Sequence, residues 1–256
     1  MGKCKVISHR GSNKIAPQNT LAAFKRSIGY HADGFETDVH LTKDGIPVIH
    51  HNYEVDKTSD GKGFISDLTF DELRNFDFGS YFHHSYKNTK IPSLEEFLTL
   101  AEKADLEILN IELKSPKNKD YSVADIVIKK VKEHNLFDKL LISSFDEDLL
   151  VYVKDVDETC KTGFLYSPNR LHIAPKWLDI VDFAKSIAVE ALHPNYLFVN
   201  ESYVEKAHEA GLYVNPWTVN NVNLMKRLLS YGVDGLITDV PKIALETVNN
   251  YFNEQN

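Results

Sequence analysis

Residues 34–51 read GFETDVHLTKDGIPVIHH, and the fold turns on how they are parsed. The first eight form a strand-like run in which Glu36 and Asp38 stand two apart, so both carboxylates fall on one face. A Lys-Asp-Gly turn separates that run from a second one, PVIHH. Parallel neighbours need a crossover of a dozen or more residues, so this short link makes a hairpin. The strand therefore extends past the rim of its sheet and folds back on itself.

Short apolar runs recur on both sides of this segment. They are CKVISH (4–9), LEILNIEL (106–113), LLISSF (140–145), KTGFLY (161–166), SIAVEALH (186–193), LYVNPWTV (212–219) and VDGLIT (233–238). Amphipathic stretches such as TLAAFKRSIGY (20–30), SLEEFLTLAEKA (93–104) and VADIVIKKVKEHNL (123–136) lie between them. Eight strands in βα alternation, too apolar for one-sided burial, predict an α/β fold: a TIM (β/α)8 barrel in one domain over 1–256. An open doubly wound sheet is the competing architecture, but no GxGxxG follows any strand. Residues from about 52 to 91, rich in Asp, Gly, Tyr, Phe and His, break the alternation and predict a small cap-like insertion beside the barrel mouth.

The formal charge of −8 over 256 residues argues against nucleic acid, whose binders carry a basic surface, but leaves room for a local cationic pocket. Cys4 and Cys160 are the only cysteines and show no metal or disulfide spacing. No apolar run suits a signal peptide or a membrane span, so a cytoplasmic protein without a transmembrane segment is expected. Oligomeric state is not legible.

Barrel chemistry collects at the C-terminal ends of strands. His9 and Arg10 end the first strand, Glu36 and Asp38 lie in the second, and Glu112 and Lys114 end the third. Three carboxylates without cysteine suit one hard divalent cation, Mg²⁺ or Ca²⁺. Two histidines beside it would supply a base and an acid near neutral pH. Arg10 offers a fork matched to phosphate oxygens and Lys114 a point charge. The set describes phosphodiester cleavage.

The second histidine depends on the hairpin. An even-length loop would pair His51 opposite Asp38 or Glu36, and an odd-length loop would present His50 instead. The even loop and His51 are the expectation, with Ile49 and His51 sharing one face.

The ordered segments HRG (9–11), PQNT (17–20), ETDVHLTKDGIPVIHHN (36–52), IELK (111–114), ISSF (142–145), ALHP (191–194), VNPWTVN (214–220) and VDGLITDVP (233–241) carry a family likeness over nearly the whole chain. In them the sequence resembles the glycerophosphodiester phosphodiesterases. The resemblance implies a TIM barrel with a small insertion after the second strand, and metal ligands at Glu36, Asp38 and Glu112. It also implies general acid/base histidines at His9 and His51, with Arg10 and Lys114 near the phosphate and Trp217 as an apolar wall for the glycerol. The implied reaction converts a glycerophosphodiester to an alcohol and sn-glycerol 3-phosphate, the glycerol's own hydroxyl attacking first to give a cyclic phosphate that water opens.

Two positions depart from the family pattern: the usual PENT is PQNT, placing Gln18 for a glutamate, and the usual His-Asp is His51-Asn52. Rival readings are a lysophospholipase D-like or sphingolipid-cleaving enzyme with the same machinery, and a barrel that binds phosphodiesters without turnover.

Overall fold

The computed structural model describes residues 3–116, 119–167 and 179–254. In chain order the elements are β1 (Lys5–His9), α1 (Leu21–Gly29), β2 (Gly34–Leu41), β3 (Pro47–Ile49), α2 (Phe70–Leu73), α3 (Leu94–Ala101), β4 (Ile108–Leu113), α4 (Ser122–Glu133) and β5 (Leu140–Ser144). They continue with α5 (Glu147–Val156), β6 (Lys161–Tyr166), α6 (Ile180–Ser186), β7 (Ala191–Pro194), α7 (Glu201–Glu209), β8 (Tyr213–Val214), α8 (Val222–Ser230), β9 (Gly235–Thr238) and α9 (Pro241–Asn253).

Eight of these strands pair in parallel in the order β8-β7-β6-β5-β4-β2-β1-β9, and β3 lies antiparallel on β2. The seam between β8 and β9 is bridged by backbone bonds from Asp234 N to Val214 O (3.0 Å), Ile237 N to Pro216 O (3.1 Å) and Val219 N to Ile237 O (2.9 Å). The sheet therefore closes on itself as the predicted TIM barrel.

Alternation along β2 sorts its side chains. Phe35 and Val39 join the apolar layer between sheet and helices, where Phe35 and Phe97 meet Phe24 with ring centroids 5.5 and 4.7 Å away. Glu36 and Asp38 take the opposite face, toward the barrel interior. Helix starts are set by local chemistry: Ser93 and Glu96 form a reciprocal capping box on α3, worth about 1 kcal/mol.

Three local expectations are corrected. SIAVEALH is not one strand, because α6 runs to Ser186 and the strand begins only at Ala191. Asp179 caps that helix through Val181 N (2.9 Å), a signal hidden by the apolar alternation that follows. LYVNPWTV is a regular strand only over Tyr213–Val214; beyond it Asn215 N and Trp217 N still bond Leu192 O and Pro194 O at 2.9 Å, while Pro216, lacking an N–H, offers β9 only its carbonyl. The hairpin loop, finally, is odd. Thr42 N bonds Ile46 O at 3.0 Å, leaving Lys43, Asp44 and Gly45 as a three-residue turn with Gly45 at φ +76. A turn followed by one left-handed residue is a common hairpin closure, and glycine meets that φ without strain. The ladder pairs Val39 with Ile49, and His50 N donates to Asp38 O at 3.0 Å. His50, not His51, is the cross-strand neighbour of Asp38.

The segment after β3 builds a small core of Val55, Ile65, Leu73, Phe78 and Ile91 on Val48 of β3. It touches the β1–α1 loop where Tyr86 OH donates to Ile15 O at 2.8 Å. No helix among the described residues is long and apolar enough to cross a membrane.

Candidate active site

Parallel pairing delivers the acidic side chains to one place. His9 is in register with Glu36, Glu36 with Asn110, and Asp38 with Glu112. One oxygen each from Glu36, Asp38 and Glu112 lies within 4.8 Å of the others, all buried. Arg10 follows β1 with a left-handed backbone (φ 55), and its N–H reaches Glu36 O at 2.9 Å and Oε2 at 3.0 Å.

Lys114 Nζ sits 2.6 Å from Asp38 Oδ1 and also pairs with Glu112. Asp38 Oδ2 accepts from Asn19 Nδ2 at 2.7 Å and lies 3.5 Å from Arg10 Nε. Burial alone would raise the Asp38 carboxyl, but Lys114, His51 and Arg10 hold it well below the usual carboxylate range. The other two are less well compensated. Burial and then Asp38 push Glu36 well above its ordinary value, and burial pushes Glu112 up to about 7 despite Lys114. Two buried carboxyls that resist ionisation, oxygen-only and clustered with a third, are a donor set that a hard divalent cation fits.

The histidines are held differently. His9 Nδ1 meets Asp239 Oδ1 at 2.6 Å, and Asp239 is itself fixed by Asn13 Nδ2 (2.6 Å) and Asn220 Nδ2 (2.7 Å). Burial would raise Asp239, yet these hydrogen bonds keep it well below the usual range. Sequence reasoning did not assign Asp239. The signal was present, since it directly follows β9 at the same strand-end position that singled out His9.

His51 reaches the site by a route other than the expected ladder. The strand ends at Ile49, with a last backbone bond from His50 N to Asp38 O, and the His50 side chain turns into the insertion, where Nε2 meets Thr58 Oγ1 at 2.7 Å and the ring packs edge-on against Phe78. His51 is left at the cavity, with Nδ1 2.9 Å from Asn52 Oδ1. Arg10 Nη1, in turn, donates to Gln18 Oε1 at 2.7 Å. The two departures from the family pattern thus contact Arg10 and His51 as neutral amides.

A cavity of about 90 Å³ opens between His9, Arg10, Glu36, His51 and Glu112, with Trp217 and Phe145 on its apolar side. Trp217 is fixed by its Nε1–H to His193 O (2.7 Å) and by Phe145, edge-on at 5.7 Å. A wider groove of about 710 Å³ shares His51, Glu112 and Phe145 and runs past Lys114. His193 is fully buried in the barrel, its Nε2 3.1 Å from Asn215 Nδ2.

Residues 9–243 match the Glycerophosphoryl diester phosphodiesterase family. The glycerophosphodiester phosphodiesterase of Caldanaerobacter subterraneus subsp. tengcongensis is 37% identical over 246 residues, covering 96% of this chain and 98% of its own. Among solved structures, an Oleispira antarctica phosphodiesterase in complex with the product sn-glycerol-3-phosphate is 29% identical with a TM-score of 0.87, over 96% of each chain. The glycerophosphodiester phosphodiesterase of Thermotoga maritima is 27% identical with a TM-score of 0.75, over 96% of this chain and 99% of its own. The barrel, its strand-end chemistry and these likenesses agree, and the chain belongs to the glycerophosphoryl diester phosphodiesterase family of hydrolases.

Proposed function

We propose that the protein hydrolyses glycerophosphodiesters to an alcohol and sn-glycerol 3-phosphate, with His9 and His51 moving protons and Glu36, Asp38 and Glu112 holding one Mg²⁺ or Ca²⁺ ion. The observation that carries this reading is a single small cavity bordered by both histidines, Arg10 and two of the three clustered carboxylates. The product bound to the Oleispira antarctica relative supports the substrate class. A bound divalent ion would supply Lewis-acid neutralisation of a non-bridging phosphate oxygen.

The chain's own groups divide the proton work. With Asn52 Oδ1 toward the ring, His51 carries its proton on Nδ1 and leaves Nε2 as an acceptor. His51 therefore takes the proton of the attacking hydroxyl on the glycerol half, as that oxygen bonds to phosphorus. His9, whose Nδ1 faces the Asp239 carboxylate, is the better carrier of the second proton and gives it from Nε2 to the departing alkoxide. The roles reverse when water opens the cyclic phosphate. Arg10 directs its fork at the phosphate, and Lys114 keeps Asp38 ionised while also pairing with Glu112.

The test mixes purified protein with glycerophosphocholine, glycerophosphoethanolamine and a lysophospholipid, in Mg²⁺, Ca²⁺ or EDTA, and measures released glycerol 3-phosphate. Metal-dependent release from the water-soluble diesters is expected. Turnover unaffected by EDTA would overturn the metal assignment. Cleavage of the lysophospholipid alone would favour a lipid-cleaving enzyme on the same machinery.

A further inference from the structure

The floor of the cavity is polar where apolar packing would be more stable. Asn110 stands two residues before Glu112 on the same face of β4, and Ser143 of β5 is in register with Glu112. Both line the cavity, and they are 1% and 0% exposed. Among the described residues, neither Asn110 Nδ2, Asn110 Oδ1 nor Ser143 Oγ has a hydrogen-bond partner. Leaving a buried polar group unpaired is costly, and native interiors avoid it unless a ligand or water completes the bond. Nearby, Ser144 Oγ donates to Leu113 O at 3.0 Å and Asn19 bonds both Asp38 and Thr37, while Ser8 Oγ, which does not line the cavity, is also without a partner among the described residues.

We propose that Asn110 and Ser143 form a hydroxyl-binding floor that selects the glycerol half of the substrate, recognising a neutral vicinal diol attached to the phosphate. The inference rests on the proposed function and deepens it. An anionic group at this depth would face Glu36 and Glu112, whereas an alkyl chain would leave the amide and the hydroxyl unpaired. Hydroxyls both donate and accept, so a diol satisfies the amide N–H, the amide oxygen and the serine together. At about 90 Å³ the cavity has room for roughly three waters, which a three-carbon polyol would displace while keeping their hydrogen bonds. Trp217 and Phe145 cover the carbon chain from the side.

The experiment is calorimetric titration of the Mg²⁺-loaded protein with sn-glycerol 3-phosphate and with n-propyl phosphate, which lacks both hydroxyls. The wild type should prefer the glycerol compound by about 10²-fold, and Ser143→Ala and Asn110→Leu should each narrow that ratio by roughly 10-fold. The ratio isolates hydroxyl recognition, because a general loss of phosphate or metal binding moves both affinities alike. If Asn110→Leu does not fold, Ser143→Ala, which only removes an oxygen, still decides the matter. A wild type without preference, or variants with an unchanged ratio, would overturn the floor assignment, including when glycerophosphodiester turnover is intact. Absent turnover with a ratio that depends on these two residues would overturn the proposed function and leave the floor assignment standing.

Discussion

His9 and His51 line the same cavity, yet their supports differ in kind. His9 sits on a barrel strand and leans on Asp239, a carboxylate fixed by two asparagines from separate loops. His51 sits where a hairpin ends and leans on the amide of the next residue, Asn52. Burial first, and then Arg10, lowers His9 below its ordinary value, with Asp239 opposing. Burial first, with Lys114 and Arg10, brings His51 down to about 3, where Asp38 and the Asn52 contact oppose. A carboxylate stabilises the imidazolium far more than an amide does. In the proposed mechanism this contrast assigns the proton carrier to His9 and the proton acceptor to His51.

The strongest way to break this contrast is to remove the rings. His9→Ala and His51→Ala should each lower kcat by about 10²-fold or more in a glycerol 3-phosphate release assay. Near-wild-type turnover in either variant would take that residue out of the proton path. Asp239→Asn comes next. It keeps the side chain's shape and one acceptor oxygen but turns an NH2 toward one of the two asparagine amides and withdraws the charge behind His9, and should cost about 10–10²-fold in kcat with little change in KM. A loss confined to KM would mean that Asp239 shapes the pocket without supporting His9.

The pH profile sharpens the comparison at smaller cost to the rate. A base works in its neutral form, and a lowered value keeps His51 neutral over the range above about 3. Asn52→Asp places a carboxylate at Nδ1, favours the imidazolium and raises that value. The acidic limb of kcat/KM should then move to higher pH. Asp239→Asn acts in the opposite direction on a group that must be protonated, so the alkaline limb should move to lower pH. Measuring kcat/KM from about pH 4 to about pH 9 separates the two, and both variants shifting the same limb would refute the division of roles.

The sequence made one side of this contrast more legible than the other. Strand-end chemistry is local, so His9, Glu36, Asp38 and Glu112 could be placed from periodicity and the barrel rule alone. Asp239 obeys the same rule, but its partner lies 230 residues away, and only closure of β9 against β1 brings them together. The hairpin failed for a different reason. Its register hangs on one left-handed residue, Gly45, and one residue of slip exchanges the faces of His50 and His51. His51 lines the cavity because the strand stops, a tertiary event that alternation does not encode. The apolar run SIAVEALH begins where α6 ends, and the turn that delays the strand to Ala191 is likewise not marked by alternation.

Gln18 supplies the finest test, because it alters charge without touching either histidine. Its Oε1 accepts from Arg10 Nη1 at 2.7 Å, so the amide orients the guanidinium without adding a second negative charge to the one it already meets at Asp38. Gln18→Glu would keep that contact and add a carboxylate partner outside the phosphate position. If Arg10 acts mainly through its charge, the variant should raise KM for a glycerophosphodiester by roughly 2–5-fold at low salt, the scale of a partly exposed ion pair. The difference should shrink as salt screens it, while kcat stays within about 2-fold. If Arg10 is instead limited by its orientation, the firmer charge-assisted contact should lower KM, and the salt dependence should vanish with it. The sign of the KM change thus decides whether the neutral amide beside Arg10 strengthens the pull on the phosphate or merely aims it.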